Sequence, residues 1–527
     1  QKTSNTLLRL TPSAMTKNNL MTLAPLQWWE KTYPAKNGMS LDAAVNALLQ
    51  IGQDKGYFRP KYVRGRGAWL DGKSVVVHAG DKLIVDGKEV AFRDFKSKYV
   101  YEASEELEIS TKRPLSADEA VKLLDVCELL NWERAVNAPL LAGWCVIAPV
   151  CGVLQWRPHI WLTGGADTGK SWTFTNIVRK MLGKAGLAVQ GATTEAGLRQ
   201  TLQYDALPVV FDEAEAEDKA SQDRMQSVLT LMRAASAEDG GQMVKGGADG
   251  TARSYMIRSC FAYASIAVQL SQQSDRTRVS ILGFKYVHNQ DVRRARFEKL
   301  KAIYREHITD EFVQRLHART ISLLPTILKN AETFGQVVRD ELQKQRMGDQ
   351  LGILLAAAFS LISDDEVSYD MAIEFVRGED WSEERALDQT RDEVQLLLRL
   401  TEQIVRLDKG EQRTIGELIQ SASDMGSTDA ARETCNDALK RVGVKVVYRV
   451  AYETDELGQE TNAYNDSVVY FSNSADALKR FLSNTGWAKN HHKVLLRLGD
   501  DVKEVNSMRF TGISTRAVGI PIKYFTE

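Results

Sequence analysis

The sequence predicts an α/β protein built on a parallel sheet, and three observations predict it. The apolar run Ile160-Trp161-Leu162 reads as a short buried strand that passes into a glycine-rich turn, Gly164 to Ser171, and Phe174, Ile177, Val178 and Met181 then follow at helical spacing. A second apolar run, 207–211, ends in Asp212-Glu213. Further short apolar runs at 187–189, 260–266 and 279–284 are separated by longer helical or turn stretches. Strands alternating with helices make a parallel sheet, whose ligands sit at the carboxyl ends of the strands.

The glycine-rich turn carries a definite chemistry. Glycines let consecutive backbone N–H groups curl around an anion, and the amino end of the next helix adds partial positive charge. Gly164-x-x-x-x-Gly169-Lys170-Ser171 between strand and helix has the spacing of a phosphate-binding P-loop. Gly164, Gly165, Ala166, Asp167, Thr168, Gly169, Lys170, Ser171 and Trp172 are therefore the expected ATP-binding residues. Lys170 is suited to the β- and γ-phosphates, and the Ser171 hydroxyl to Mg²⁺. Asp212, 42 residues after Lys170, is expected to complete the Mg²⁺ shell, and Glu213 to orient and deprotonate the attacking water. Glu215, Glu217 and Asp218 read as a solvated loop face.

Composition sets the bounds around this centre. A chain of 527 residues is long enough for three or four domains. A formal net charge of −1 gives no global basic field, so any nucleic-acid contact must come from local patches. Cys127, Cys145, Cys151, Cys260 and Cys435 are scattered and form no CxxC pair, which argues for a reducing compartment and against a zinc site or disulfide framework. Residues 138–154 are free of charge, but they contain Pro139 and Pro149 and are flanked by Glu133, Arg134 and Arg157. They read as a buried helix feeding the first strand, not a membrane span. No secretory signal is visible, and a start at Gln1 suggests a piece of a longer chain.

Taken in order, residues 1–19 read as a polar linker and 20–110 as an α/β module. In that module Ser40 caps a helix with Leu41, Ala44, Leu48 and Ile51 on one side. A period of two between 62 and 95, punctuated by Asp71-Gly72, Gly80-Asp81 and Asp86-Gly87, then predicts antiparallel hairpins. Residues 111–155 are helical and lead into the core, 156–290. Within the core, a helix is expected from Lys219 to Ala237, followed by a hairpin from Met243 to Ile257. Residues 291–407 read as helices only. In 408–527, two short helices, a strand, a polar loop and a strand suggest a winged-helix variant of helix-turn-helix. His491-His492 lack metal-ligand spacing and read as a surface pair.

Several runs together resemble a known family. They are Trp156-Arg157-Pro158 through GGADTGKS, TTEAGLRQTL, LPVVFDEAEAEDK and DRTRV, with APLQWWEKTYP and GRGAWLDGKSVVVHAGDKLIVDG before them and NTGWAKNHHKVLLRL and RFTGISTRAVGIPI after them. They resemble the helicase part of phage and prophage primase–helicases, which are AAA+ ring ATPases of the superfamily 3 type. The resemblance covers nearly the whole chain. It implies an AAA+ P-loop core with an N-terminal α/β module, a helical bundle and a C-terminal winged-helix-like domain. The implied activity is that of an ATP- and Mg²⁺-dependent replicative DNA helicase. It would form a homo-oligomeric ring, often a hexamer, and move on single-stranded or forked DNA in the cytoplasm of a bacterial host. It would be phage- or prophage-encoded, with no membrane partner. A primase module or replication proteins are the implied partners, although this sequence shows no acidic primase signature.

The resemblance also assigns roles. The strand at 260–266 should carry the residue that senses the γ-phosphate, where the family usually has asparagine; Ser265 is the first candidate here and Gln269 the second. An arginine before the last core strand should act in trans on a neighbour's nucleotide, with Arg278 the first choice and Arg276 the second. The glycine-tipped hairpin should project into the ring's channel and hold DNA phosphates through Lys245, Gly246, Gly247 and Arg253, with Arg258 also along its arms. Two other readings stand beside this one: an AAA+ initiator or loader without processive unwinding, and a nucleotide-gated ATPase of phage defence or signalling.

Overall fold

A computed structural model describes residues 12–55, 60–212, 214, 218–238, 243–246, 252–268, 270, 272–386, 392–407, 411–454, 460–483, 485–512 and 514–525. The chain divides into two compact units, Gln1–Glu384 and Arg385–Glu527.

Of the segment read as a linker, residues 1–11 lie outside the described residues, and a helix already begins at Lys17. Lys17–Met21 is capped by the Thr16 side chain, and Leu20 packs with Trp29, Met39 and Ala44. The Trp29 indole ties this cluster together by donating to the Leu20 carbonyl at 2.9 Å. Helix α1 (Leu41–Lys55) buries Ala44 but leaves Leu41 and Ile51 exposed, so its expected apolar stripe is only partly used. The predicted hairpins form a meander of β1 (Gly67–Asp71), β2 (Ser74–His78), β3 (Leu83–Val85) and β4 (Lys88–Val90), all antiparallel. This module is fastened to the core by Arg66, whose guanidinium meets Asp205 at 2.7 Å.

Helix α2 (Ala117–Glu128) begins with a capping box between Ser116 and Glu119. The charge-free stretch becomes α3 (Asn137–Ile147), buried at every residue except Pro139, and a 3₁₀ segment, Ala148–Val153. No helix among the described residues is long and apolar enough to cross a membrane.

The central sheet has the strands β5 (His159–Thr163), β6 (Leu187–Gln190), β7 (Val209–Asp212), β10 (Phe261–Ser265) and β11 (Val279–Gly283), with a separate hairpin, β8 (Met243–Gly246) and β9 (Ala252–Tyr255), inserted before β10. Its spatial order is β6-β7-β10-β5-β11, every neighbour parallel. All five strands fall on apolar runs visible in the sequence; β5, β7, β10 and β11 are mostly buried and need that hydrophobicity, whereas the edge strand β6 buries no residue. Helical segments Lys170–Thr173, Phe174–Arg179 and Lys180–Leu182 run on from one another as α4, with a π turn in the middle. Helices α5 (Glu195–Leu202) and α6 (Lys219–Ser236) follow β6 and β7.

Helices α7 (Gln290–His307), α8 (Asp310–Ser322), α9 (Leu324–Leu342), α10 (Gln345–Phe359) and α11 (Tyr369–Gly378) complete this unit. Gln350 joins them to the sheet, its amide donating to the His159 carbonyl at 2.8 Å and to Ser280 Oγ at 3.2 Å.

The second unit starts inside the stretch that the sequence assigned to the helical bundle. Helix α12 (Asp392–Thr401) buries Leu396, Leu397 and Leu400 in the core of this unit, and Ile404–Arg406 is a strand paired with Gln412–Thr414, so 291–407 is not purely helical. Helices α13 (Ile415–Ser423) and α14 (Asp429–Arg441) follow. Then come β12 (Val444–Val447), a ribbon of β13 (Val450–Thr454) and β14 (Glu460–Asn465), and β15 (Val468–Ser472). Strands β16 (Lys503–Arg509) and β17 (Ser514–Pro521) extend the sheet to β12-β15-β17-β16. Between β15 and β16 lie two short helices, α15 (Asp476–Phe481) and α16 (His491–Leu495). His491 is a core residue, not part of a surface pair: its ring contacts the Ser472 carbonyl at 2.9 Å, and burial lowers its pKa.

Candidate nucleotide site

The P-loop leaves the carboxyl end of β5 and β7 ends in Asp212, with β10 lying between these two strands. Parallel pairing puts Gln190 of β6 level with Asp212. The result is one cleft of about 890 Å³ at the carboxyl edge of the sheet. Gly165 to Trp172 line one side, and Gln190, Gly191, Ala192 and Asp212 another.

Local chemistry explains the loop's shape. Asp167 and Gly169 take positive φ values of 60° and 94°, turning successive N–H groups the same way. The Thr168 hydroxyl closes the loop by donating to the Gly165 carbonyl at 2.9 Å, and the Gly169 carbonyl accepts from Thr173 N at 3.0 Å to start α4. Gly164 is outside the cleft lining; a Cβ there would lie 2.9 Å from both Phe284 Cβ and Thr168 Oγ1, so its glycine serves packing beneath the loop. Trp172 lines the cleft and meets Phe297 and Tyr304 edge-on, with ring centroids 5.6 and 5.3 Å away.

The cleft thus brings together the predicted Lys170, Ser171 and Asp212. A hydroxyl and a carboxylate in a site that also admits phosphate oxygens suit Mg²⁺, which takes few protein ligands and completes its shell with water and phosphate. Among the described residues no group of three or more His, Cys, Asp or Glu side chains offers a separate metal site. Glu213 lies outside the described residues.

A third wall escaped the sequence reading. Asp218 and Ser221 form a capping box at the start of α6 and line the cleft together with Arg224. Hydrogen bonds from the Ser221 backbone and hydroxyl lower the Asp218 pKa. Residues 218, 221 and 224 are three apart, which is one face of a helix. Of these three the sequence singles out only Asp218, as part of a solvated loop face, and it is exposed here; Ser221 and Arg224 carry no motif of their own.

Other predicted residues fall elsewhere. Ser265 is 1% exposed and its hydroxyl is engaged twice, accepting from Trp161 Nε1 at 2.8 Å and donating to the Ala267 carbonyl at 2.6 Å. Its neighbours Ala264 and Ile266 line the cleft and it does not. Gln269 lies outside the described residues.

Arg276 and Arg278 precede β11, whose first residue Val279 pairs with His159 and whose last, Gly283, pairs with Thr163. They therefore stand at the amino edge of the sheet, the edge opposite this chain's own P-loop. Arg276 Nε donates to the Leu270 carbonyl at 2.9 Å. Arg278 donates to the Ser274 carbonyl at 2.6 Å and sits over the Trp156 ring at 5.9 Å. Burial, Arg346 and Arg233 lower the Arg278 pKa, with Asp275 opposing them.

The hairpin forms as predicted in its backbone: Lys245 pairs with Arg253 and Gly246 with Ala252, while Gly247 lies outside the described residues. Arg258 is a correction. It is 6% exposed, locked to Glu238 and stacked 5.4 Å from the Trp69 ring, so it belongs to the hairpin's buried base.

No protein-family model and no curated protein matches the chain. Among solved structures it is similar to "SCCmec type IV Cch - active helicase", at 12% identity and a TM-score of 0.46, over 97% of this chain and 88% of that one. It is also similar to "The A form apo structure of NrS-1 C terminal region-CTR", at 11% identity and a TM-score of 0.25, over 72% and 91% of the two chains. A shorter form of that region, 305-718, gives 10% identity and a TM-score of 0.24, over 58% and 89%. Such low identities and TM-scores transfer no function, so the functional reading rests on the cleft.

Proposed function

We propose that this chain is an ATP-dependent DNA helicase, a superfamily 3-type AAA+ ring ATPase that translocates on single-stranded DNA. The observation that carries this reading is the meeting of Lys170, Ser171 and Asp212 in one cleft at the carboxyl edge of a parallel sheet. The loop's N–H groups and the amino end of α4 would hold the phosphates, and Lys170 would neutralise the charge that develops on the transferred phosphoryl group. Ser171 and Asp212 would hold Mg²⁺, which bridges phosphate oxygens and offsets their charge. Glu213 would orient and deprotonate water.

The position of Arg276 and Arg278 favours a shared site. At the far edge of the sheet, either one would serve a neighbouring protomer's nucleotide, which requires a ring or filament, and a hexamer is our reading. The hairpin between α6 and β10 would carry Lys245 and Arg253 to the DNA strand. A primase module or other replication proteins are the proposed partners, in a phage or prophage setting.

The decisive experiment measures ATP turnover with and without single-stranded DNA, and strand separation on a forked duplex. Turnover stimulated by DNA, fork opening, and loss of both in Lys170→Ala are expected. ATP turnover indifferent to DNA, with no fork opening, refutes the helicase reading.

A further inference from the structure

The ribbon β8–β9 pairs with no other strand among the described residues, so its direction depends on what holds its root. One point of that root is Arg258, just past β9. It is buried, meets Glu238 at 2.8 Å and stacks 5.4 Å from the Trp69 ring, while Arg157 shares the same carboxylate. The second point is Tyr255, the last residue of β9, which pairs with Met243 of β8. Its half-buried ring lies 4.7 Å from the Arg199 guanidinium. A ribbon held at one point can swing, and a second point defines its angle.

Arg199 is itself fixed within α5. Its Nε donates to Glu195 Oε1 at 2.5 Å and its Nη2 to Oε2 at 3.3 Å, a forked pair one helical turn apart. The Thr194 hydroxyl caps the helix, and Leu198 and Leu202 are buried. The start of α5 is joined closely to the nucleotide cleft. Gln190, Gly191 and Ala192 line the cleft, and the Thr193 N–H donates back to the Gln190 carbonyl at 2.9 Å, so a single turn separates the lining from the cap. Arg199 stands five residues past Thr194, about 8 Å along the helix axis. The strand before it, β6, is an edge strand that buries no residue, so this segment is held to the sheet from one side.

We infer that the Tyr255–Arg199 contact couples the nucleotide cleft to the hairpin. Displacement of residues 190–192 by bound nucleotide turns α5, and Arg199 carries that turn to the ribbon about the fixed point at Arg258. The inference rests on the proposed ATPase and on the hairpin as its DNA contact. Tyr255 lies outside the cleft lining and is a positioning residue. Coupling of this kind is reciprocal, so nucleotide and strand change each other's affinity by the same factor.

The test uses the full chain, a labelled single-stranded oligonucleotide read by fluorescence anisotropy, and a non-hydrolysable ATP analogue. In the wild type the analogue should change strand affinity about fivefold or more, and the strand should stimulate ATP turnover. Tyr255→Leu should bind the strand normally without nucleotide and keep the basal kcat and KM for ATP, yet lose both responses. Tyr255→Phe keeps the ring over the guanidinium and should retain both. Arg199→Met, which leaves the ribbon's own sequence intact, should lose the same two responses, and the double variant should lose nothing more. A contact that only supports the fold would lower the melting temperature and leave both responses in place. Intact responses in Tyr255→Leu or Arg199→Met overturn the inference, as does their loss in Tyr255→Phe. Wild-type turnover indifferent to DNA refutes the proposed function, and the inference falls with it.

Discussion

Glu238 and Arg258 stand on either side of the inserted hairpin and close its base, with Glu238 Oε1 2.8 Å from Arg258 Nη2. Fully buried Arg157 shares the same carboxylate and also donates to the Cys151 and Ala235 carbonyls at 3.1 and 3.2 Å. Burial alone would raise the Glu238 pKa, but Arg258 and Arg157 outweigh it and hold the carboxyl below its ordinary value of 4.5. Just inside this clamp, Tyr255 of β9 packs on Arg199 of α5, 4.7 Å from ring centroid to guanidinium. The ribbon's root is thus tied to the helix that follows the cleft-lining residues 190–192.

Glu238→Gln should therefore destabilise the first unit by about 3 kcal/mol, because two buried guanidinium groups lose their shared counter-ion. Because the folded pKa is depressed, the carboxylate's contribution is complete above the unfolded pKa of about 4.5 and is lost as pH falls through the folded value. Thermal melting at neutral pH and in acid checks both points. Equal melting temperatures for wild type and variant at neutral pH would show that the clamp carries no stability.

Ser265→Ala separates a structural hydroxyl from a sensing one. Removing Oγ leaves the buried Trp161 indole N–H and the Ala267 carbonyl without this partner, which should cost about 1–3 kcal/mol. The rate of ATP cleavage should stay within about threefold of wild type, well short of the tenfold that a 1.4 kcal/mol barrier change gives. A hundredfold loss of kcat with normal melting would return the sensor role to Ser265.

The sheet was legible in the sequence because its strands fall on short apolar runs, and the P-loop because Gly164, Gly169, Lys170 and Ser171 stand at a fixed spacing within one eight-residue turn. What stayed hidden depends on contacts between distant residues. Ser265 reads as a polar residue at a strand end, and only its pairing level with Thr163 and its bond to Trp161 show it facing the interior. Arg258 reads as an arm of the hairpin until Glu238 is seen twenty residues before it. Helix α12 has the same leucine spacing as the bundle helices, so nothing local says that Leu396 and Leu400 share the core of the second unit with Ile415 and Leu418. Arg224 carries no motif, and only the fold brings it to the cleft beside Asp218 and Ser221.

Arg224 gives a third prediction. It lines the cleft from α6, outside both the P-loop and the Asp212 strand. Arg224→Ala should weaken ATP binding by about tenfold, in the range of one charge-assisted hydrogen bond to phosphate, and leave the melting temperature nearly unchanged. Fluorescent-nucleotide titration checks it. Unchanged affinity would make Arg224 a bystander of the cleft.

The edge-to-edge separation of Arg278 from the P-loop makes a fourth. Four residue steps of about 3.3 Å put roughly 13 Å of strand between the two ends of β11. Arg278→Ala and Lys170→Ala should each lower ATP turnover about 10³-fold alone. Mixed protomers should recover part of it, because one kind supplies an intact cleft and the other an intact arginine. The same mixing with Arg276→Ala identifies which arginine acts. Failure to recover turnover at any mixing ratio would rule out a shared site for both.

Three buried histidines of the first unit set its response to mild acid. Burial pushes the pKa of His159 down to about 3, with Arg157 and Arg278 adding to it, and those of His78 and His317 down to about 4. The Phe261 N–H donates to His159 Nδ1 at 3.0 Å, so Nε2 carries the proton and donates to Ser236 Oγ, also at 3.0 Å. His317 Nε2 likewise donates to the Met181 carbonyl at 2.8 Å, joining α8 to α4. The unfolded chain takes up these protons near pH 6.5 and the folded chain does not, so stability falls as pH drops from about 6.5 towards 4. Each histidine contributes at most about 1.4 kcal/mol per pH unit. Melting temperature should therefore decline between about pH 7 and 5, above the range where Glu238 titrates, and His317→Gln, which keeps a donor for Met181, should make the decline shallower. A flat profile over that interval, or an identical slope in His317→Gln, would mean that these imidazoles do not govern the acid response.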